Sequence, residues 1–370
     1  MRYASKTKGT ILIAALWMVA ILTVFAISVG RQSAISLKIT SYNTDQLKAY
    51  FIARAGMLRA LAQKQLEHDS ELLSDIDALS EGWANNKDLF DHKSFGSGSY
   101  TLSYYLDEDD LSEGERPVLY GLMDEQSKIN INFAPKETIA NLLTHLEVDE
   151  NEAQEIAAAI VDWRDEDGTV TFSEDENFLG AEDAYYQGAS PPYHCKNFLF
   201  DNIYELYLVR GVTSDMFTLL KEYITVYGEG KVNINTAGET VLNALMGPDF
   251  PNLASKIVKY RRGNDDTSGT EDDRWFCIGP YVIDRQDKGF VEIKNLQDAE
   301  WYANIYGIIN EEYNRIREHV GGGNPQICVS SKAFRVKASG EVDMVKSSIE
   351  SVWLFDEKGI PPKIAYWYQE

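Results

Sequence analysis

From Thr10 to Gly30 the chain reads TILIAALWMVAILTVFAISVG, an apolar run of 21 residues without a charge. At about 1.5 Å rise per residue such a helix reaches roughly 30 Å, the thickness of a bilayer's hydrocarbon core. Arg2, Lys6 and Lys8 precede it. The positive-inside rule then leaves the N-terminus in the cytoplasm and exports the remainder. In a bacterium the expected location is the inner membrane, single-pass, with the main body in the periplasm. A cleavable secretory signal carries similar marks, but this run is longer than the usual signal core, and Gly30-Arg31-Gln32 is a poor small-x-small cleavage site. Apolar residues also recur at helical steps beyond it, at Ile35, Ile39, Tyr42, Tyr50, Ala53, Met57 and Leu61, with an interruption near Asp45 to Leu47. The spacing predicts one long helix that leaves the membrane and continues into a folded body.

That body is acidic. The formal net charge is -23, and removing the three leader cations leaves -26. Such a surface repels nucleic acid and anionic lipid, so no nucleic-acid partner is expected. Cys195, Cys277 and Cys328 form no CxxC pair, which argues against a zinc ribbon or a thioredoxin-like site. A Cys195 to Cys277 bridge and three inert thiols both remain open. The sequence contains no GxSxG elbow, HExxH or GxxxxGK[ST] motif, and His194 beside Cys195 does not make a catalytic pair. The chain is not expected to be an enzyme.

Alternation of side chains predicts strands at both ends of the exported part. Gly98 to Leu106 and Val118 to Met123 lie at the start; Phe334 to Ser339, Ser348 to Phe355 and Ile364 to Tyr368 lie at the end. Between them the pattern is helical and repeats. Lys128-Ile-Asn-Ile-Asn-Phe-Ala134 matches Lys231-Val-Asn-Ile-Asn-Thr-Ala237, Trp163-Arg164 matches Tyr260-Arg261, and Phe200, Ile203 and Leu206 align with Phe290, Ile293 and Leu296. The paired Asn residues are expected to cap helices or bond their own turns. The expected fold class is α+β: a pilin-like long N-terminal helix plus a small antiparallel sheet, with a large all-helical insertion of two related modules. The boundaries are a leader at 1-9, a transmembrane part at 10-30, a pilin-like domain at 31-126 and 324-370, and an insertion at 127-323 divided into about 127-227 and 228-323.

The basic leader, Gly9 before the apolar helix and the amphipathic continuation together resemble the substrates of prepilin peptidase. The resemblance implies cleavage after Gly9 and methylation of the new N-terminus at Thr10. Members of that class usually carry glutamate at the fifth mature position, which here is Ala14. A glutamate in lipid is costly unless paired, and one role for it is to attract the terminal ammonium of the next subunit above. A subunit with nothing above it has no such need, so Ala14 points to the tip of a filament.

Asp162-Trp-Arg-Asp-Glu-Asp167, Gly180-Ala-Glu-Asp-Ala-Tyr-Tyr186, Pro191-Pro-Tyr193, Phe200-Asp201 with Glu205-Leu206, and Lys231 to Ala237 follow in this order. With the leader and Ala14 they resemble the general secretion pathway protein K family, the minor pseudopilin K of type II secretion. That resemblance implies a tip subunit that starts or caps the periplasmic pseudopilus and aids export of folded proteins. Its implied partners are minor pseudopilins I and J and other pseudopilins. The alternative is a membrane-anchored helix-hairpin-helix protein of DNA binding or uptake, which the repeat resembles but the charge opposes. Asp162 to Asp183 is crowded with carboxylates around Arg164. On composition alone a solvated acidic loop is the simpler reading, although Asp165-x-Asp167-Gly168 offers alternating carboxylates beside a turn. Resemblance to a family whose helical insert binds calcium implies instead a structural calcium site at Asp165, Asp167, Glu182 and Asp183, with Asp162 and Glu174 as further candidates. A second acidic loop, Asn264 to Asp273, is a further candidate site, with a solvated loop the simpler reading.

Overall fold

The computed structural model describes residues 8–69, 76–106, 116–172, 180–248, 252–276, 326–356 and 358–370. The expected leader at 1-9 falls almost wholly outside them, as do Glu174, Cys277, Phe290, Ile293 and Leu296.

One helix, Lys8–His68, runs for 61 residues, which is roughly 90 Å at 1.5 Å per residue. It is long and apolar enough in its first part to cross a membrane, and Ile11, Trp17, Leu22 and Phe25 are exposed along it. No glycine or proline interrupts the apolar run before Gly30, which favours a continuous helix. The amphipathic stripe predicted from Ile35 onward is covered only in its later part. Ile35, Ile39 and Tyr42 are exposed, whereas Ala49, Ile52, Ala53, Met57, Ala60 and Leu61 are buried.

The cover is an antiparallel sheet in the order Lys93–Phe95, Gly98–Leu102, Ala333–Val342, Val345–Leu354 and Lys363–Gln369, with Met123–Asp124 paired to the start of the central strand. Phe334, Val336, Ala338 and Val342 alternate inward from that strand, as period-2 patterning requires. Gly340 lies where strand and helix cross. A Cβ there would come within 2.0 Å of the Ala49 carbonyl oxygen and 2.7 Å of the Ala53 nitrogen, so only glycine allows this approach. On the opposite face Arg335 bridges Glu125 and Glu350. Burial would push the Glu125 carboxyl up, but Arg335 outweighs it and holds that carboxyl down at about 2.

The insertion is built twice on one plan. In the first module Ile129–Asn130 leads to helices Lys136–His145 and Glu150–Arg164, and Ile224–Thr225 returns to pair with it in parallel. In the second, Val232–Asn233 leads to helices Glu239–Met246 and Leu253–Arg261, and Ile327–Cys328 returns in parallel. The insertion is therefore not all-helical, because each module is closed by a two-residue strand pair. The second module also extends past the expected boundary at 323, since Ile327–Cys328 is its closing strand. Apolar residues of both modules form one core, including Leu142, Ile160, Trp163, Leu242, Ile257 and Tyr260.

This core meets the pilin-like unit near the C-terminal end of the long helix. Lys64 forms a buried ion pair with Asp77, whose other oxygen accepts from the Ser331 N–H at 2.6 Å. Asp124 accepts from Ser331 and Thr236 hydroxyls, each at 2.6 Å, and from the Asn233 amide at 3.0 Å. Residues from the helix, the Met123–Asp124 strand, the approach to the central strand and the second module thus share one buried polar network. Lys64 lies roughly 50 Å beyond Gly30 along the helix, so the insertion sits at the end far from the apolar segment.

Candidate functional site

The two modules share a clamp that the repeat signature only hints at. Asn132 and Asn235 occupy equivalent turns. Asn132 exchanges two hydrogen bonds with the backbone of Phe200, at 3.0 and 2.7 Å. Asn235 does the same with Phe276, at 2.9 and 2.7 Å. Phe276 is thus a structural counterpart of Phe200; the aligned Phe290 lies outside the described residues. Asn130 and Asn233 each accept from the N–H two residues on, which is the expected turn bonding. Arg164 donates to the carbonyls of Ile131 and Ala134, and Arg261 donates to those of Ile234 and Ala237.

Arg164 is therefore only a minor counterweight to the acidic residues around it: its guanidinium is turned to the module's first turn, and it lowers Asp165 less than burial, Asp167 and Asp162 raise it. The helix Glu150–Arg164 ends at Asp165, whose N–H donates to the Val161 carbonyl. Immediately beyond, Asp165 and Asp167 meet Glu182, the residue that precedes the short helix Asp183–Gln187. One carboxylate oxygen from each of the three lies within 4.8 Å of the others. Both Glu182 oxygens and the Asp165 Oδ1 are buried and accept no hydrogen bond. Burial, then the neighbouring Asp162 and Asp165, push the Glu182 carboxyl up to about 7. Burial, then Asp167 and Asp162, push Asp165 up to about 6.

Buried carboxylates with unmet acceptors call for a proton or a cation. The donor set is oxygen only, which suits a hard divalent ion, and oxygens within a shell of about 2.4 Å radius lie at most about 4.8 Å apart. These residues fit calcium in kind and in spacing.

The other candidates are placed differently. Asp162 is fully buried behind the cluster and accepts from the Thr171 hydroxyl at 2.5 Å and its N–H at 3.2 Å. Gly180 closes over it, since a Cβ there would come within 1.9 Å of Asp162 Oδ2. Asp183 faces away, accepting from the Cys195 N–H at 3.0 Å with His194 Nδ1 at the same distance. Among the described residues Cys195 and Cys328 are free thiols, and Cys277 lies outside them. The second acidic loop closes on itself. Asp272 accepts from the Asn264 N–H at 2.6 Å and the Thr270 hydroxyl at 2.9 Å, and Asp273 accepts from the Gly269 N–H at 2.7 Å. Thr10 and Ala14 are exposed on the apolar part of the long helix.

Comparison with known proteins bears on the identity of this arrangement. The family described as type II secretion system (T2SS), protein K, matches residues 119–229, the segment that holds the first module and its acidic cluster. The type II secretion system protein K of Aeromonas hydrophila is 28% identical over 94% of this chain and 92% of its own length. Over most of its length the chain is similar to the type II secretion system protein K family. The family member of Pseudomonas aeruginosa is 24% identical over 68% of this chain and 72% of its own. In fold, the chain is similar to one from the crystal structure of the GspK-GspI-GspJ complex of enterotoxigenic Escherichia coli. The TM-score is 0.59 at 16% identity, covering 90% of this chain and 99% of that one.

Proposed function

We propose that this chain is the minor pseudopilin at the tip of the periplasmic type II secretion pseudopilus, where it starts or caps the filament and aids export of folded proteins. One observation carries the reading. A two-module insertion is seated at the end of the long helix remote from its apolar segment, with Asn233 of the second module held by Asp124 beside the sheet. Helices of this kind pack side by side in a filament shaft, and a body of this size on every subunit would crowd them. A terminal subunit has open space beyond it. Ala14 agrees, since a last subunit has no ammonium above it to attract.

Prepilin peptidase cuts after Gly9 and Thr10 becomes the methylated N-terminus. The apolar helix anchors the precursor in the inner membrane with the body in the periplasm. Minor pseudopilins I and J are the partners, by analogy with the complex that the fold resembles. Asp165, Asp167 and Glu182, between the end of Glu150–Arg164 and the start of Asp183–Gln187, would hold calcium, which would supply charge neutralisation there; Asp162 backs the site and Thr171 orients Asp162. The role is structural, without catalysis. Deleting the gene should leave folded secreted proteins trapped in the periplasm, and an insertion-deleted variant should fail to restore export. Normal export in the deletion strain would overturn the reading.

A further inference from the structure

A cavity of about 190 Å³ lies where the sheet, the first module and the second module meet. Its walls include Leu79, Leu106, Met123 and Val241, and its charged lining is Arg116, Lys128 and Lys337 with Asp124 and Glu222. The five charges are not equivalent. Asp124 is buried, and its carboxylate accepts from Ser331, Thr236, Asn233 and the Gln126 N–H. Glu222 is exposed at the rim. Lys128 is held at the base of the first module, where its Nζ lies 3.5 Å from the Lys221 carbonyl oxygen. In a chain of net charge -23, a cavity lined by three cations is the part of the surface suited to a negative ligand.

Size and walls narrow the ligand further. The volume is below the roughly 300–1,000 Å³ of pockets for cofactor-sized molecules, and fits about one amino-acid residue. Cations and apolar side chains lining one small cavity suit a residue that carries both a carboxylate and an apolar group. An acidic side chain lacks the apolar part. An apolar residue at a chain's C-terminus has both.

We propose that this cavity captures the C-terminal residue of another polypeptide, an apolar residue whose free carboxylate meets Lys128, Arg116 and Lys337. Burial lowers the Lys128 ammonium from its ordinary value, with Glu125 opposing, and an arriving carboxylate offsets that desolvation. Because Lys128 belongs to the first module, Val241 to the second and Lys337 to the central strand, the captured residue joins all three units. Lys128 opens the repeat signature, and its counterpart Lys231 does not line this cavity.

The test is calorimetric titration of the full chain in detergent with the tripeptide acetyl-Gly-Ser-Leu, as the free acid and as the C-terminal amide. The acid should bind about tenfold or more tightly than the amide, the factor a charge-assisted contact provides. Lys128→Gln should weaken the acid by a similar factor and leave the amide unchanged. Lys337→Gln, at an exposed strand position, should weaken it less and covers the case in which Lys128→Gln misfolds. N-acetyl-leucine separates the two sources of a carboxylate. If this small acid binds and the peptide does not, the cavity takes free organic acids and the proposal is overturned. Equal binding of acid and amide, acid binding unmoved by both substitutions, or no saturable binding would overturn it as well.

Discussion

Lys64 and Asp77 form an ion pair with both side chains almost fully buried, at 3% and 5% exposure. The Lys64 ammonium also lies 4.9 Å from the Trp83 ring centroid and 4.7 Å from that of Phe334. The pair therefore joins the end of the long helix to the segment that supports the second module through the Asp77 carbonyl and Asn233. Removing one partner leaves the other charge buried, which costs about 3–5 kcal/mol. Lys64→Met and Asp77→Asn should each lower the unfolding free energy obtained from a urea denaturation series by that much. The double variant should recover part of the loss, since no isolated charge then remains.

The acidic cluster has a pH dependence of definite sign. Glu182 and Asp165 are raised to about 7 and about 6, above their unfolded values. Without a cation, the stability linked to their protonation is present below about pH 4 and is lost as the pH rises through about 6 to 7. Melting of the chelator-treated protein should fall across that window, and calcium should restore it at neutral pH but add little below about pH 4.

Glu182→Gln gives the complementary result. It removes a buried charge, so at neutral pH with chelator the variant should melt higher than the wild type. It should also lose most of the calcium-dependent shift. A calcium shift of wild-type size in this variant would contradict the assignment of the site.

At the crossing of helix and sheet, Gly340→Ala places a methyl group against the Ala49 and Ala53 backbone. Neither backbone can retreat without disturbing the buried Ile52 and Met57. Overpacking of this kind costs about 1–3 kcal/mol, to be read from thermal unfolding against a Ser339→Ala control on the same strand.

The main lines of the fold were legible where a pattern is local. The run from Thr10 to Gly30 specifies an apolar helix by length, and alternation of Phe334, Val336 and Ala338 specifies a strand. The two Lys-x-Asn-x-Asn signatures exposed the repeat because the turn they form is built by the Asn side chains themselves. That Phe276 takes in the second module the place Phe200 has in the first was not legible, for a physical reason. Phe200 follows Arg164 by 36 residues, whereas Phe276 follows Arg261 by only 15. The extra length in the first module carries Asp165, Asp167 and Glu182, and an alignment that expects equal loops passes over it. Which carboxylates converge was not legible either. Asp183 adjoins Glu182 in sequence yet serves Cys195, because successive residues entering a helix point about 100° apart. Nor does the sequence reveal that Arg164 satisfies carbonyls thirty residues back, a contact formed only once the module closes.

Processing has its own observable. The mass of the mature N-terminal peptide should correspond to methylated Thr10. An intact Met1 would remove the chain from the prepilin class.

The central claim is position, one subunit at the end of a filament. Immunogold labelling of isolated pseudopili with antibodies raised against the insertion tests it most directly. The account predicts gold at a single end of each filament. Gold distributed along the shaft would contradict it.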